Sequence, residues 1–314
     1  MKGTGAKAGA RSLGVAYTAL AAAAWSLAGI LQRQLHMSLA SQLAGRAVFA
    51  CLAVLAFVAV TERGHVIRAF RAIGRPGLLI AVLMTVSSGS FITALNETPV
   101  ADVMVIQALA PLAAALLGML AGEPVRPRTW AVMGVAVAGF AVMAGAPSRP
   151  GPAGMIFSFL AMLGYAATIV IARHKADVSM APATCLSQVL VFVVFAPFAH
   201  LSEMGGSNLG YLVLMGTVQM GLALSFLSLA ARLIPAVEVA LISQLENVLA
   251  PLWVWLAGIE RPSAPAVVGG VIVIGAVSLQ IAQGSGSDER HRPPDVLLGD
   301  LADPDGATEP AKPC

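Results

Sequence analysis

Charge is what this sequence has least of: Asp, Glu, Lys and Arg make up 11% of its 314 residues, against about 25% in soluble globular domains. Together with 58% apolar residues and a mean hydropathy of +0.82, that deficit excludes a water-soluble globule. A concentrated basic face is missing as well. Nineteen basic and 16 acidic residues leave a formal net charge of +3, which gives a nucleic-acid binder nothing with which to neutralise phosphates. Cysteine is scarce too, at three. Cys51 and Cys185 each lie inside an apolar run and Cys314 is the last residue, a pattern that suits neither a disulfide framework nor a CxxC metal or redox site. The five histidines, His36, His65, His174, His200 and His291, fall in loops, tails or helix ends without metal-ligand spacing. Neither a GxSxG elbow nor a Walker A loop occurs. Nothing therefore supports ATP coupling, intramembrane hydrolysis, a cofactor or a metal, and the chain is read as not an enzyme.

What the sequence has in abundance is long apolar runs. A hydrocarbon layer about 30 Å thick is crossed by roughly 20 apolar residues in a helix. Windows of that kind fall at 13–32, 39–61, 77–95, 98–121, 129–146, 153–172, 180–200, 209–231, 235–258 and 264–283, which predicts ten transmembrane helices. The first follows Lys2, Lys7 and Arg11, yet its apolar stretch is too long for a signal-peptide core. With the N-terminus inside, fifteen of the 19 Lys and Arg fall in cytoplasmic segments and three, Arg33, Arg149 and Arg261, fall outside, while Arg46 lies within a helix. That bias predicts a multi-pass plasma-membrane protein with both termini in the cytoplasm.

Sliding the second half back by 136 residues lays Thr98-Pro99-Val100-Ala101-Asp102 over Ile234-Pro235-Ala236-Val237-Glu238, and the register holds through Leu120-Ala121-Gly122 over Leu256-Ala257-Gly258. One inserted residue then brings Glu123 onto Glu260, and a shift of 140 pairs Gly14 with Gly154, Trp25 with Tyr165 and Arg33 with Arg173. The chain thus reads as two five-helix copies, 13–146 and 153–283, between a segment 1–12 and an acidic tail 284–314. Because five is odd, the second copy enters the membrane from the opposite side, and inverted repeats of this kind let a shared midplane cavity face each side in turn. The tail carries seven acidic and three basic residues and is rich in Gly, Pro and Asp, so it is expected to be disordered.

The same residues carry a family resemblance. Thr98-Pro99-Val100-Ala101-Asp102, Pro111 and Ala121-Gly122-Glu123, with their second-half echo Ile234-Pro235-Ala236-Val237-Glu238, Leu245-Glu246 and Ala257-Gly258-Ile259-Glu260-Arg261-Pro262, resemble the EamA repeat of the drug/metabolite transporter superfamily. Arg46 in Ala44-Gly45-Arg46-Ala47 resembles an arginine that many members carry. The resemblance covers about residues 13 to 283. It implies an all-α integral membrane carrier of ten helices in two inverted five-helix repeats, moving small organic solutes. One departure stands out: Asn247 occupies the place that Pro111 holds in the first repeat, and Pro251 follows one turn later. The second half is therefore expected to bend at a different place.

Charges inside the bilayer are the first functional candidates, since each costs about 2.5–3.5 kcal/mol at a helix centre. Glu246, midway along the ninth window, reads as a proton-coupling or substrate-amine group, and Arg46 as a carboxylate clamp. The alternative is that the two pair with each other or with backbone carbonyls and only fix packing, or that Arg46 snorkels to the interface. Asp102 and Glu238 sit near helix starts, where the helix dipole favours them, as caps or gate elements, and Glu123 and Glu260 read as interfacial. Among uncharged groups, Gln107 and Gln244 are preferred because an amide is awkward to hide in lipid. Gln219, Ser225, Ser243 and Ser87-Ser88-Gly89-Ser90 follow, with Ser88 kept as a pathway candidate. Such small residues also serve close helix packing. Trp25 and Tyr165 fall near mid-helix and are candidates for lining a cavity.

The reading that results is a secondary transporter of a small metabolite, an amino acid or related compound, working by alternating access with export and proton coupling preferred. Its partners are the lipid bilayer, a small-molecule substrate and protons, with no nucleic acid. An importer of the same fold, or a membrane sensor or assembly protein, is the alternative.

Overall fold

The structure, a computed structural model, describes residues 3–61, 64–120, 122, 127–144, 151–174, 180–230, 233–234, 239 and 242–288. The apolar windows become helices: α1 (Gly3–Gln34), α2 (Leu39–Thr61), a short α3 (Val66–Ala72), α4 (Gly74–Glu97), α5 (Val100–Gln107), α6 (Ala110–Leu120), α7 (Pro127–Ala144), α8 (Pro152–His174), α9 (Met180–Phe195), α10 (Ser207–Leu214), α11 (Ala223–Ala230), α12 (Leu245–Leu256) and α13 (Ala264–Asp288). No strand occurs among the described residues. Seven stretches are long and apolar enough to cross a membrane: Arg11–Gln34, Leu39–Thr61, Gly74–Glu97, Val100–Leu120, Pro152–Ala172, Ala181–Phe198 and Ser207–Leu227. Shorter apolar helices lie at Trp130–Gly139, Leu245–Leu256 and Ala264–Ala276. Helices suit lipid because each satisfies its own backbone polar groups there.

The side chains are arranged inside out relative to a soluble protein. Leu52, Val60, Val137, Val193 and Val271 point outward, while Thr18, Ser158, Thr168, Ser187, Gln188 and Gln219 are buried. An apolar exterior around a polar interior is what a lipid solvent selects, and the chain is a multi-pass membrane protein.

Helix α1 packs on α12 and on the α10–α11 stretch, α8 packs on α4 and α6, α2 on α9 and α7 on α13. Small residues allow the close approaches. A Cβ on Gly14 would sit 2.7 Å from Ile234 Cγ2, and one on Gly154 would sit 2.7 Å from Thr98 Cβ. These contacts correspond in the repeat register, Gly14 to Gly154 and Thr98 to Ile234. Just beyond each glycine a hydroxyl bonds its carbonyl, Thr18 Oγ1 to Gly14 O at 2.9 Å and Ser158 Oγ to Gly154 O at 2.7 Å.

Helix ends depart from expectation in two places. Helix α1 begins at Gly3, ten residues before the apolar window, because the alanines at 6, 8 and 10 are strong helix formers. Helix α13 runs to Asp288, into the segment expected to be disordered. Once nucleated by its apolar part, a helix gains one bond per added residue. The tail from 289 onward lies outside the described residues.

Two of the expected spans are interrupted, and the interruptions position the site. The 98–121 window breaks at Ala108–Leu109 and the 235–258 window turns at Gln244, just ahead of α12. In the 136-residue register Ala108 falls on Gln244, so the expectation of a bend at a different place is overturned. The two breaks use different means. At the first, Pro111 lacks an N–H and its ring crowds the carbonyl four residues back, and Leu109 and Leu112 donate instead to Ile106 O and Leu109 O, each at 3.0 Å. At the second, Asn247 N–H donates to Gln244 O at 3.1 Å and its side-chain Nδ2 to Gln244 Oε1 at 2.8 Å. Asn thereby offers its own backbone an alternative to the helical ladder. Pro251 sits within α12 without breaking it. A third irregularity, a π-helical stretch Met215–Leu222, joins α10 to α11, a distortion often found at functional sites.

Candidate functional site

A cavity of about 420 Å³ opens between these irregular segments, within the about 300–1,000 Å³ range of small-molecule sites. Both breaks contribute to its wall: Gln107, Ala110 and Pro111 from the first, Ser243, Gln244, Glu246 and Asn247 from the second, with Gln219 and Met220 from the π stretch. Trp25, Ser26, Arg46, Phe91 and Tyr165 complete much of the remainder, and Met84 and Met104 add thioethers, which adapt readily to irregular shapes. All seven residues singled out for a substrate or proton pathway, Glu246, Arg46, Gln107, Gln244, Trp25, Tyr165 and Ser88, line this one cavity. Ser87 and Ser243 line it too, whereas Ser225 turns back to bond Gly221 O at 2.8 Å.

The polar part of the wall is under-satisfied. Arg46 Nε, Gln188 Oε1, Gln219 Oε1, Gln244 Nε2 and Asn247 Oδ1 are all buried without a hydrogen-bond partner. An unpaired buried polar group costs about 1–3 kcal/mol, and these five belong to residues that line the one cavity. Two of these atoms are donors and three are acceptors. Arg46, 3% exposed, donates through Nη2 to Ser88 Oγ, which fixes the side chain inside the protein and removes the snorkelling reading.

Glu246 differs from its expected position. It lies in the first turn of α12, directly after the break, where the free N–H end of a helix favours a carboxylate. Among the described residues it forms no ion pair with Arg46, whose guanidinium bonds Ser88, so the reading in which the two buried charges pair with each other is overturned. Trp253 Nε1 donates to Ser26 Oγ at 2.8 Å, seating α12 against α1 beside the cavity.

Asp102 is buried in the first turn of α5 and stays off the cavity wall. Glu238 and Glu123 lie outside the described residues. Gln188 and Asn247 are lining residues that the sequence reading passed over. The signal for Gln188, a lone amide in an apolar run, is the same one that picked out Gln107. Away from the cavity, Cys51 and Cys185 lie with Sγ atoms 3.7 Å apart as free thiols in an apolar cluster. Among the described residues no group of three or more His, Cys, Asp or Glu is placed to hold a metal ion.

The sequence model of the EamA-like transporter family matches residues 12–145 and again 152–281. The chain belongs to that family. Its members are membrane transporters of small molecules, and each of the two matched segments of this EamA-like chain contributes a helix break to the cavity wall. No curated protein matches the sequence. Solved structures do match, among them a crystal structure with 19% sequence identity and a TM-score of 0.64, covering 88% of this chain and 99% of that one. At that identity the likeness speaks for the fold of this EamA-like chain alone.

Proposed function

We propose that this protein is a secondary transporter with ten transmembrane helices in two inverted five-helix repeats, 13–146 and 153–283, which exchange roles to open the cavity to one side and then the other. The corresponding contacts of Gly14 with Ile234 and Gly154 with Thr98, and the corresponding breaks at Ala108 and Gln244, support that symmetry. The distribution of Lys and Arg supports a plasma-membrane location with both termini cytoplasmic.

The cargo is an amino acid or a closely related small metabolite, moved outward and coupled to protons. The observation that carries this reading is that five residues lining one cavity each hold a buried polar atom without a hydrogen-bond partner. Arg46 Nε and Gln244 Nε2 suit a carboxylate, and Gln188, Gln219 and Asn247 oxygens, with the Glu246 carboxylate, suit an ammonium group. Trp25, Phe91 and Tyr165 supply apolar faces for a side chain. Glu246 is the residue assigned to exchange a proton or the cargo's amine during the cycle, and no chemical step on the cargo is involved.

Purified protein in proteoliposomes, tested for uptake and efflux against a metabolite panel with and without a pH gradient, checks this. Glu246→Gln is expected to abolish the response to the pH gradient, and Arg46→Gln to weaken carboxylate-bearing cargo most. If Glu246→Gln moves cargo with unchanged pH dependence, proton coupling through that residue is wrong. If the folded protein moves no solute under any gradient, the transport reading fails and a sensor role takes its place.

A further inference from the structure

Polar contacts between the two halves of the chain gather at one end of the bundle. Arg33, in the last turn of α1, pairs through Nε with Glu260 Oε1, with both side chains little more than a fifth exposed. Its outer nitrogen donates to Thr98 O at 2.8 Å, and Glu260 Oε2 accepts the Val100 N–H at 3.0 Å. One ion pair thus ties together the end of α1, the α4–α5 junction and the segment after α12. None of these three pieces lines the cavity, but the helices they belong to, α1, α5 and α12, wall it elsewhere along their length through Trp25, Met104 and Glu246. Parting these helices at this end would break the pair and both of its hydrogen bonds. A second seam lies at the same end, where Ser38 N–H and Oγ reach Glu203 Oε2 at 3.0 and 2.7 Å and His200 N–H donates to Ser41 Oγ at 2.9 Å.

We propose that Arg33 and Glu260 form a latch that holds the cavity shut at this end and is broken when the carrier opens there. The proposal rests on the alternating-access reading above, since a latch has work to do only if this end opens. It reassigns Glu260 from an interfacial residue to a moving contact. The repeat register gives it a sequence counterpart, with Arg173 aligned on Arg33 and Glu123 on Glu260. Glu123 and the Arg173 side chain lie outside the described residues.

Opening can be read without any cargo. In full-length protein with its three cysteines replaced by alanine, a single reporter cysteine at Phe91 is labelled by a membrane-impermeant maleimide added from the Arg33 side of vesicles. Arg33→Gln and Glu260→Gln should each raise the labelling rate up to roughly five-fold, the scale of a partly exposed ion pair. The double variant should add little, because both single changes remove the same contact. Unchanged labelling in folded single variants overturns the latch, and so does a double variant whose effect is the product of the two. If the variants do not fold, amide exchange at Val100 in the unaltered protein decides: faster exchange in 1 M salt than in low salt supports the latch, and no difference overturns it. If labelling responds as expected but no solute moves in proteoliposomes, the latch stands and the transport assignment falls.

Discussion

The two helix breaks that contribute to the cavity wall occupy the same place in their repeats and are made of different residues. Ala108-Leu109-Ala110-Pro111 in the first lies under Gln244-Leu245-Glu246-Asn247 in the second. The first break is apolar and is enforced by a proline that cannot join the ladder. The second is polar, held by an asparagine that bonds Gln244 with backbone and side chain alike. Position is therefore a property of the shared repeat, whereas chemistry is concentrated in one copy. On the transport reading proposed above, a symmetric scaffold would swing between two states while the cargo met one set of side chains, and four of the five residues with unpartnered polar atoms lie in the second repeat.

The comparison breaks most completely at Glu246. Glu246→Gln makes the second break as uncharged as the first, and proton-driven transport should fall about 100-fold, the loss of a charge-assisted contact worth up to about 3 kcal/mol. Its melting temperature in detergent should hold, because among the described residues no ion pair is lost. Transport in proteoliposomes alongside a thermal melt separates the two quantities. At the other break, Pro111→Ala restores an N–H and removes the ring clash, recovering up to about 3 kcal/mol of helix propensity. Melting temperature should rise while turnover slows, since a healed helix no longer flexes at the cavity. A faster Pro111→Ala carrier would count against the break as a working joint.

Smaller in effect is Asn247→Pro, which gives the second break the first one's means of breaking. The fold should survive, since the matched position already accommodates proline, but the Asn247 Oδ1 acceptor disappears from the cavity wall. Apparent affinity for cargo should weaken roughly ten-fold, about 1.4 kcal/mol, with turnover less affected. An unchanged concentration dependence would show that this oxygen does not meet the cargo.

Much of this was legible before any coordinates. Apolar runs located the helices, and the 136-residue register aligned the two halves. Residues chosen because lipid penalises them, Glu246, Arg46, Gln107 and Gln244, all reach one cavity, since a buried polar group in a membrane protein has few other places to go. The breaks themselves were harder to see. Ala108-Leu109 carries no turn residue, and the interruption is caused by a proline two residues later, while at Gln244 a side-chain bond does the work of a missing proline. Hydropathy averages over both. The π stretch at Met215–Leu222 leaves no compositional trace either, and the Arg33–Glu260 pair joins residues 227 positions apart, of which charge counting places Arg33 in an outside loop while Glu260 reads as interfacial.

The smallest expected effect contrasts a hydrogen-bonded carboxylate with Glu246. Glu203, in the segment between α9 and α10, is held down to about 2 by hydrogen bonds from the Ser41 and Ser38 hydroxyls and then the Ser38 N–H. A carboxyl lowered on folding stabilises the protein above its ordinary value of 4.5, and that contribution is lost as the pH falls toward 2. The unaltered protein should therefore lose more melting temperature between pH 5 and pH 2 than Glu203→Gln does, and the two curves should run parallel above pH 5. Transport at neutral pH should be the same in both, because Glu203 is off the cavity wall and its Oε2 is already bonded to Ser38. Coincident melting curves across the acidic range would mean that the serine contacts do not hold this carboxylate, and a transport defect at neutral pH would mean that the seam at this end takes part in the cycle beside the Arg33–Glu260 latch.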